Sequence, residues 1–149
     1  MVELGPKSLK KLNTCKAMLR TFVTYFVKRL NEINDPELQD ITVTCGLRDK
    51  ADQEDAFNRG TSRLHFPFGR HNNAKMPVLP DDLSTLAEED KSSAVDILPS
   101  PSMWDDEAKI RLLGKYGKQC LEELRMESDI VWGGSWTTFV DLPHWQCVR

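Results

Sequence analysis

Between Leu9 and Ile33, apolar residues return every three or four positions, at Leu9, Leu12, Cys15, Leu19, Phe22, Val23, Phe26, Val27, Leu30 and Ile33. This spacing predicts amphipathic helix with one buried face, as one helix or as two in tandem. Ser8 is placed to cap it, and Asn34-Asp35-Pro36 stops it. The period then changes. Ile41, Val43 and Cys45 alternate with Thr42, Thr44 and Gly46, which predicts a strand with one buried, apolar face. Arg48 lies just past its end, where a side chain can point into a cleft or simply form a surface salt bridge. A polar helix follows over about Lys50 to Arg59, with Gly60 as its C-terminal cap.

Residues 61–75 contain Pro67, Gly69, Asn72 and Asn73, and so predict a loop; it holds His65 and His71. Residues 76–91 carry Pro77, Pro80 and the acids Asp81, Asp82, Glu88, Glu89 and Asp90. They predict an exposed acidic insertion with one helical turn around Leu83 to Ala87. Ser93 to Leu98 is a short strand interrupted by one acid, and Pro99-Ser-Pro101 ends it. Asp96, between Val95 and Ile97, is disfavoured there on propensity. It either faces water or meets something positive, because an unpaired buried carboxylate is costly. Ser102 or Asp105 can cap the next helix, which carries Ile110, Leu112, Leu113, Tyr116, Cys120, Leu121 and Leu124 and ends near Met126. Ile130 to Trp132 is a strand, Gly133-Gly134 a turn, and His144 to Val148 a last strand.

At 149 residues the chain can bury a core without staples, and one domain over 1–149 is expected. The net charge of −3 offers no general field for nucleic acid or an anionic membrane. Lys7, Lys10, Lys11 and Lys16 fit the solvated face of the first helix. No apolar run approaches the ~18 residues of a membrane span, and the N-terminus lacks a signal pattern, so a cytoplasmic protein is expected. The four cysteines, Cys15, Cys45, Cys120 and Cys147, form no C-x-x-C pair. That argues against a cysteine knuckle and a disulfide framework and for buried free thiols. Whether Cys45 and Cys147 meet stays open.

Candidate chemistry centres on Asp141-Leu-Pro-His144, a carboxylate three positions before an imidazole, held out of a helix by the proline. His71, Asp96 and His144 would give a metal two neutral nitrogens and one carboxylate. Three ligands with a fourth position left to water is the catalytic zinc arrangement. Asp141 would accept that water's proton, and Arg48 would steady an oxyanion or hold a substrate carboxylate. No H-E-x-x-H helix is present, and spacing alone leaves a structural role open.

The blocks resemble the zinc peptidases of the D-alanyl-D-alanine carboxypeptidase and L-alanyl-D-glutamate endopeptidase superfamily, in particular its small phage endolysins. Ser8 to Leu12 resembles the opening helix of that group. Thr42 to Arg48, then Gln53 and Asn58 to Ser62, resemble its strand, arginine and Gly-x-Ser pattern. Arg70-His71-Asn72 is similar to the first-ligand loop, Ser93 to Asp96 to the second-ligand strand, and Trp132 to Trp136 with Phe139 to His144 to the closing motif. The resemblance implies zinc (Zn2+) on His71, Asp96 and His144, Asp141 as general base, Arg48 as the arginine that binds substrate or transition state, and Gln53 in the substrate cleft. The implied fold is small α+β, hedgehog/DD-peptidase-like: an antiparallel sheet with packed helices and zinc in the cleft. Three departures stand out. The acidic insertion separates His71 from Asp96, which leaves His65 as an alternative ligand; Gly69 replaces a common serine; and the segment from Trp136 to Asp141 is short.

The implied activity is cleavage of peptidoglycan stem peptides, between L-alanine and D-glutamate, by a phage endolysin. Such a monomer, with no separate wall-binding domain, would wait in the infected host's cytoplasm and attack the wall after release. A D,D-carboxypeptidase would use the same residues. Two other classes compete: a non-catalytic zinc or wall-binding domain, and an interaction protein in which His71, Asp96 and His144 never meet. Lying between two of the ligands, the 76–91 insertion is a candidate lid.

Overall fold

The helical pattern at the N-terminus resolves into two helices. The computed structural model describes residues 1–148; in it α1 spans Pro6–Leu12 and α2 spans Ala17–Ile33. The break falls at Thr14, whose hydroxyl donates to Lys11 O at 2.6 Å and accepts from Leu47 N at 2.9 Å. Such side-chain bonds give the backbone an alternative to the helix. Ser8 is not a cap. Gly5 takes that place, with Pro6 behind it at the first helical position, and buried Ser8 Oγ accepts from Val43 N at 3.0 Å.

Four strands follow the period-two stretches: β1 (Asp40–Cys45), β2 (Ala94–Ser100), β3 (Ile130–Trp132) and β4 (His144–Cys147). They form one antiparallel sheet in the order β1-β2-β4-β3. β2 runs through Pro99 instead of stopping there. β4 pairs only with Ala94 to Asp96, so at Pro99 the strand has β1 on one side and no ladder on the other, a position proline tolerates.

One face of the sheet is the core. Ile41, Val43, Val95, Ile97, Ile130, Trp145 and Cys147 meet α2 and α4 (Glu107–Glu123) there. The rings of Phe22 and Trp145 lie 4.9 Å apart, and Trp132 stacks on Trp145 at 5.7 Å. α4 comes close enough for this only through Gly114 and Gly117, where an added β-carbon would strike Trp132 and Trp145 respectively. Asp106, not Ser102 or Asp105, caps α4 by accepting from Lys109 N; residues Met103–Asp105 form a separate 3-10 turn. The helix stops short of Met126 because Arg125 turns left-handed at φ 58°. Met126 N then donates to Leu121 O and Arg125 N to Glu122 O, the paired bonds of a Schellman cap.

The polar helix is α3 (Lys50–Asn58), capped by Asp49, with Gly60 at φ 79° beyond its end. Residues 76–91 carry two 3-10 turns, Leu83–Thr85 and Glu88–Asp90. Leu86 is buried, and Glu88 reaches the start of α2. Lys16 has no acceptor to cap that helix, so Glu88 Oε2 accepts from Ala17 N at 2.6 Å while Arg20 pairs with Oε1 at 3.3 Å. A carboxylate at a helix N-terminus is stabilising. No helix among the described residues is long and apolar enough to cross a membrane.

Replacing Glu88 by alanine should lower stability by about 1 kcal/mol at neutral pH, read by denaturant unfolding. The amide of Ala17 holds the Glu88 carboxyl below its ordinary value. Its contribution is therefore complete above the unfolded-state value and fades as pH falls through the native one. A wild-type advantage that stayed constant into acid would refute the cap.

Candidate active site

The opposite face of the sheet carries polar side chains in register. His144 on β4 lies directly across from Asp96 on β2, and cross-strand partners project to the same face. On the other side of Asp96 the partner is Cys45. Alternation alone would have put Cys45 with Ile41 and Val43 in the core. A register shift between Val43 and Cys45 breaks the alternation, and such a bulge re-aims the side chains that follow it. Cys45 Sγ, a His71 ring nitrogen and an Asp96 oxygen all lie within 4.8 Å of one another. Cys147 stays on the core face; both thiols are free and on opposite faces of the sheet.

His71 enters from the loop and is held at both ends of its residue. Its carbonyl accepts from Arg48 N at 2.8 Å, and its Nδ1–H donates to Gly46 O at 2.7 Å. A carbonyl only accepts, so Nδ1 carries a proton there, and Nε2 is the nitrogen that points at the sheet. His71 Nε2 is 3.2 Å from Asp96 Oδ1 and 3.3 Å from His144 Nδ1, and His144 Nδ1 is 3.0 Å from the same Asp96 oxygen. The outer nitrogen of His144, Nε2, bonds Gln146 Oε1 at 2.8 Å. Each imidazole thus has one nitrogen tied and the other turned to a common point beside a carboxylate, as metal-binding histidines do. Nitrogen and oxygen donors about 3 Å apart suit a small divalent ion such as zinc.

His65, the alternative ligand, is elsewhere. It pairs with Glu54 at 2.7 Å and stacks on Phe57 at 3.7 Å.

The charges answer one another. Burial would raise the Asp96 carboxyl, but the charge on His71 and hydrogen bonds from both histidines hold it well below the usual carboxylate range. Burial would lower His71, but the charges of Cys45 and Asp96 lift it well above its ordinary value. Asp141 shifts the other way: burial, then the charge of Asp96, raise its carboxyl. Its Oδ2 is 3.8 Å from His144 Nδ1. The turn that presents it is fastened twice, by Asp141 N to Gly133 O at 3.1 Å and by Trp132 Nε1 to Leu142 O at 2.6 Å.

Arg48 Nη2 lies 3.8 Å from Asp96 Oδ2, and its Nη1 donates to Gln53 Oε1 at 3.0 Å. Gln53 was expected in the substrate cleft, and it is among the residues that line it. It is 1% exposed, and its amide is occupied by Arg48, Asn72, Ser62 and Leu64. These groups line a cleft of about 520 Å³ whose walls include Trp104, Trp136 and Phe139, with Arg63 stacked on Phe139 at 4.8 Å. No residue of 76–91 lines it, so the insertion is not a lid in this conformation.

No known family model matches the chain, and no curated protein does. Among solved structures, the L-Ala D-Glu endopeptidase ChiX of Serratia marcescens is similar, with a TM-score of 0.63 over 98% of this chain and 90% of that one. At 17% identity the likeness is one of fold: a small α+β architecture with an antiparallel four-stranded sheet. The arrangement of side chains stands on this chain's own geometry.

Two site residues escaped the sequence. Gln146 is two positions from His144 on a strand, so alternation could have placed it beside that ring. Cys45 had no such signal, because a bulge leaves no mark on the apolar pattern. Gly133 is a third constraint: an added β-carbon would strike Asp141 O and sit 3.2 Å from His144 Cβ. Gly133→Ala should therefore cost about 1–3 kcal/mol in denaturant unfolding, the range for forced overpacking. An unchanged midpoint would mean the 141–143 turn gives way freely.

Proposed function

We propose that the protein is a zinc-dependent peptidase of peptidoglycan stem peptides, hydrolysing the bond between L-alanine and D-glutamate. The observation that carries it is the convergence of His71 Nε2, Asp96 Oδ1 and His144 Nδ1, each ring locked by a bond at its other nitrogen. The likeness in fold to an L-Ala D-Glu endopeptidase supports the choice of bond. Zinc bound by these three groups would supply a Lewis acid and a water acidified toward neutrality.

The chain's own residues do the rest. Asp141 stands beside His144 with its carboxyl raised toward the working range of a base, takes the proton of the attacking water and delivers it to the departing amine. Arg48, held by Gln53, faces the same space and stabilises negative charge developing on the carbonyl oxygen. Arg59, Arg63 and Arg70 on the cleft walls suit a substrate that carries carboxylates. In this role the chain acts as the peptidase of a monomeric lysis enzyme of phage type, made in the host cytoplasm and reaching the wall after release.

Digestion of purified peptidoglycan, followed by mass spectrometry, tests it. The wild type should create L-alanine carboxyl ends and D-glutamate amino ends, a chelator should stop it, and zinc should restore it. Asp141→Asn should slow the reaction by about 10²-fold or more with zinc content unchanged. Release of free D-alanine would move the cut to the D,D bond. Bound zinc without cleavage of any wall would overturn the peptidase and favour a binding domain. Separately, Gln146→Leu should weaken zinc affinity by about 10- to 100-fold in chelator competition. An unchanged affinity would show that the ring of His144 is oriented without Gln146.

A further inference from the structure

Four arginines line the cleft, and three of them are occupied. Arg48 bonds Gln53 and faces Asp96, Arg59 pairs with Asp55 at 2.9 Å, and Arg70 donates to Val148 O at 3.3 Å. Arg63 is different. Among the described residues no carboxylate pairs with it, and its guanidinium lies over the ring of Phe139, 4.8 Å from the centroid. A ring beneath a guanidinium holds its plane by a cation–π contact and leaves the N–H groups at its edge free to bond.

Both sides of this contact are held in place. Ser62 Oγ and Leu64 O, which flank Arg63, each accept from the buried Gln53 amide, at 2.9 and 2.6 Å. The side chain that bonds Arg48 therefore also fixes the loop that presents Arg63. Phe139 stands two residues before Asp141 and has φ 47°. The left-handed region is disfavoured for a bulky side chain, and residues held there gather at binding and active sites. The result is an unpaired cation set against the segment that carries the candidate base.

We infer that Arg63 binds the α-carboxylate of the D-glutamate residue whose amide bond is cut, and so selects stem peptides in which that group is not amidated. The inference rests on the proposed function for the identity of the bond. In a stem peptide D-glutamate is joined onward through its γ-carboxyl, which leaves the α-carboxylate on the carbon that bears the scissile nitrogen. Asp141 serves that nitrogen, so the α-carboxylate enters near two negative charges, those of Asp141 and Asp96. A like charge brought there is repelled unless a cation answers it. Arg48 is already engaged by Asp96 and Gln53. Arg63 is free to answer it through paired N–H···O bonds. An amide in the same position brings no charge and offers one oxygen, and it forfeits most of the attraction.

Two synthetic N-acetyl tripeptides test it, each of L-alanine, D-glutamate and L-lysine joined through the γ-carboxyl, with the α-carboxyl either free or amidated. The zinc-loaded wild type should cleave the free acid with a kcat/KM at least about 10-fold higher, the difference lying in KM. Arg63→Gln should lose that preference by weakening the acid alone, with the amidated peptide unchanged, and Arg63→Lys should keep part of it. Equal kcat/KM on the two peptides in the wild type, or a preference that survives in Arg63→Gln, would overturn the inference. Arg63 is exposed, so neither variant should alter folding, which circular dichroism checks. Calorimetric binding of both peptides to Asp141→Asn, with Arg63 present or replaced, separates the two proposals. Selective binding of the acid that needs Arg63, in a chain whose wild type cuts neither peptide, leaves the recognition and removes the peptidase. Cleavage without selectivity does the reverse, and neither binding nor cleavage overturns both.

Discussion

A carboxylate buried at the centre of a sheet needs a positive partner, and the site is built around that need of Asp96. It sits on β2 between β1 and β4, with imidazoles at 3.0 and 3.2 Å and the Arg48 guanidinium at 3.8 Å. Removing water from a charge without such partners costs several kcal/mol. Each charge favours the other, which is why the His71 imidazole is raised and the Asp96 carboxyl lowered. A divalent cation satisfies the same carboxylate while leaving both imidazoles neutral, and the bonds to Gly46 O and Gln146 Oε1 leave their free nitrogens aimed where such an ion would lie.

The rest of the fold serves to hold these groups still. Thr14, at the break between α1 and α2, anchors Leu47 and so the Gly46–Arg48 segment that grips His71 at its ring and its backbone. Trp132 packs on Trp145 in the core and also bonds the turn that carries Asp141, so core packing and the position of the candidate base are one problem. The insertion follows similar logic from outside. Through Glu88 it caps α2, through Asp90 it bonds Asn73 near His71, and the chain after it pairs Ser92 with Cys15 and Lys16. Its acids brace the frame of the cleft without entering it.

What could be read beforehand divides along physical lines. The long helices, the four strands and the anomaly of Asp96 were legible because burial of one face imposes a period, and an acid in an apolar strand violates it. The positions of His71 and His144 were legible through motif resemblance and would not have followed from spacing, since the register that joins residues 71, 96 and 144 is a tertiary fact. Helix ends were less legible. Ser102 and Asp105 were the caps read from the sequence, whereas Asp106 is the one that bonds Lys109 N, and the end of α4 depends on Arg125 adopting a left-handed turn that glycine usually takes. Gln53 lies at the cleft as its polar side chain suggested, but its burial and its bonds to Arg48, Asn72, Ser62 and Leu64 are tertiary facts that the sequence does not carry.

Cys45 is the sharpest case. Period-two reasoning assigns each strand residue to a face on the assumption that the ladder is unbroken. One extra residue at the end of β1 overturns that assumption where the strand meets the site, and it exchanges an apolar position for one that faces Asp96. The same bulge that hid the thiol from the sequence brings its sulfur within 4.8 Å of a His71 ring nitrogen and an Asp96 oxygen. Bulges are common beside active sites because they re-aim a side chain without disturbing the rest of the sheet. In this chain, one residue of slippage brings a thiol to the face that carries Asp96 and His144, while Ile41 and Val43, upstream of it, remain in the core.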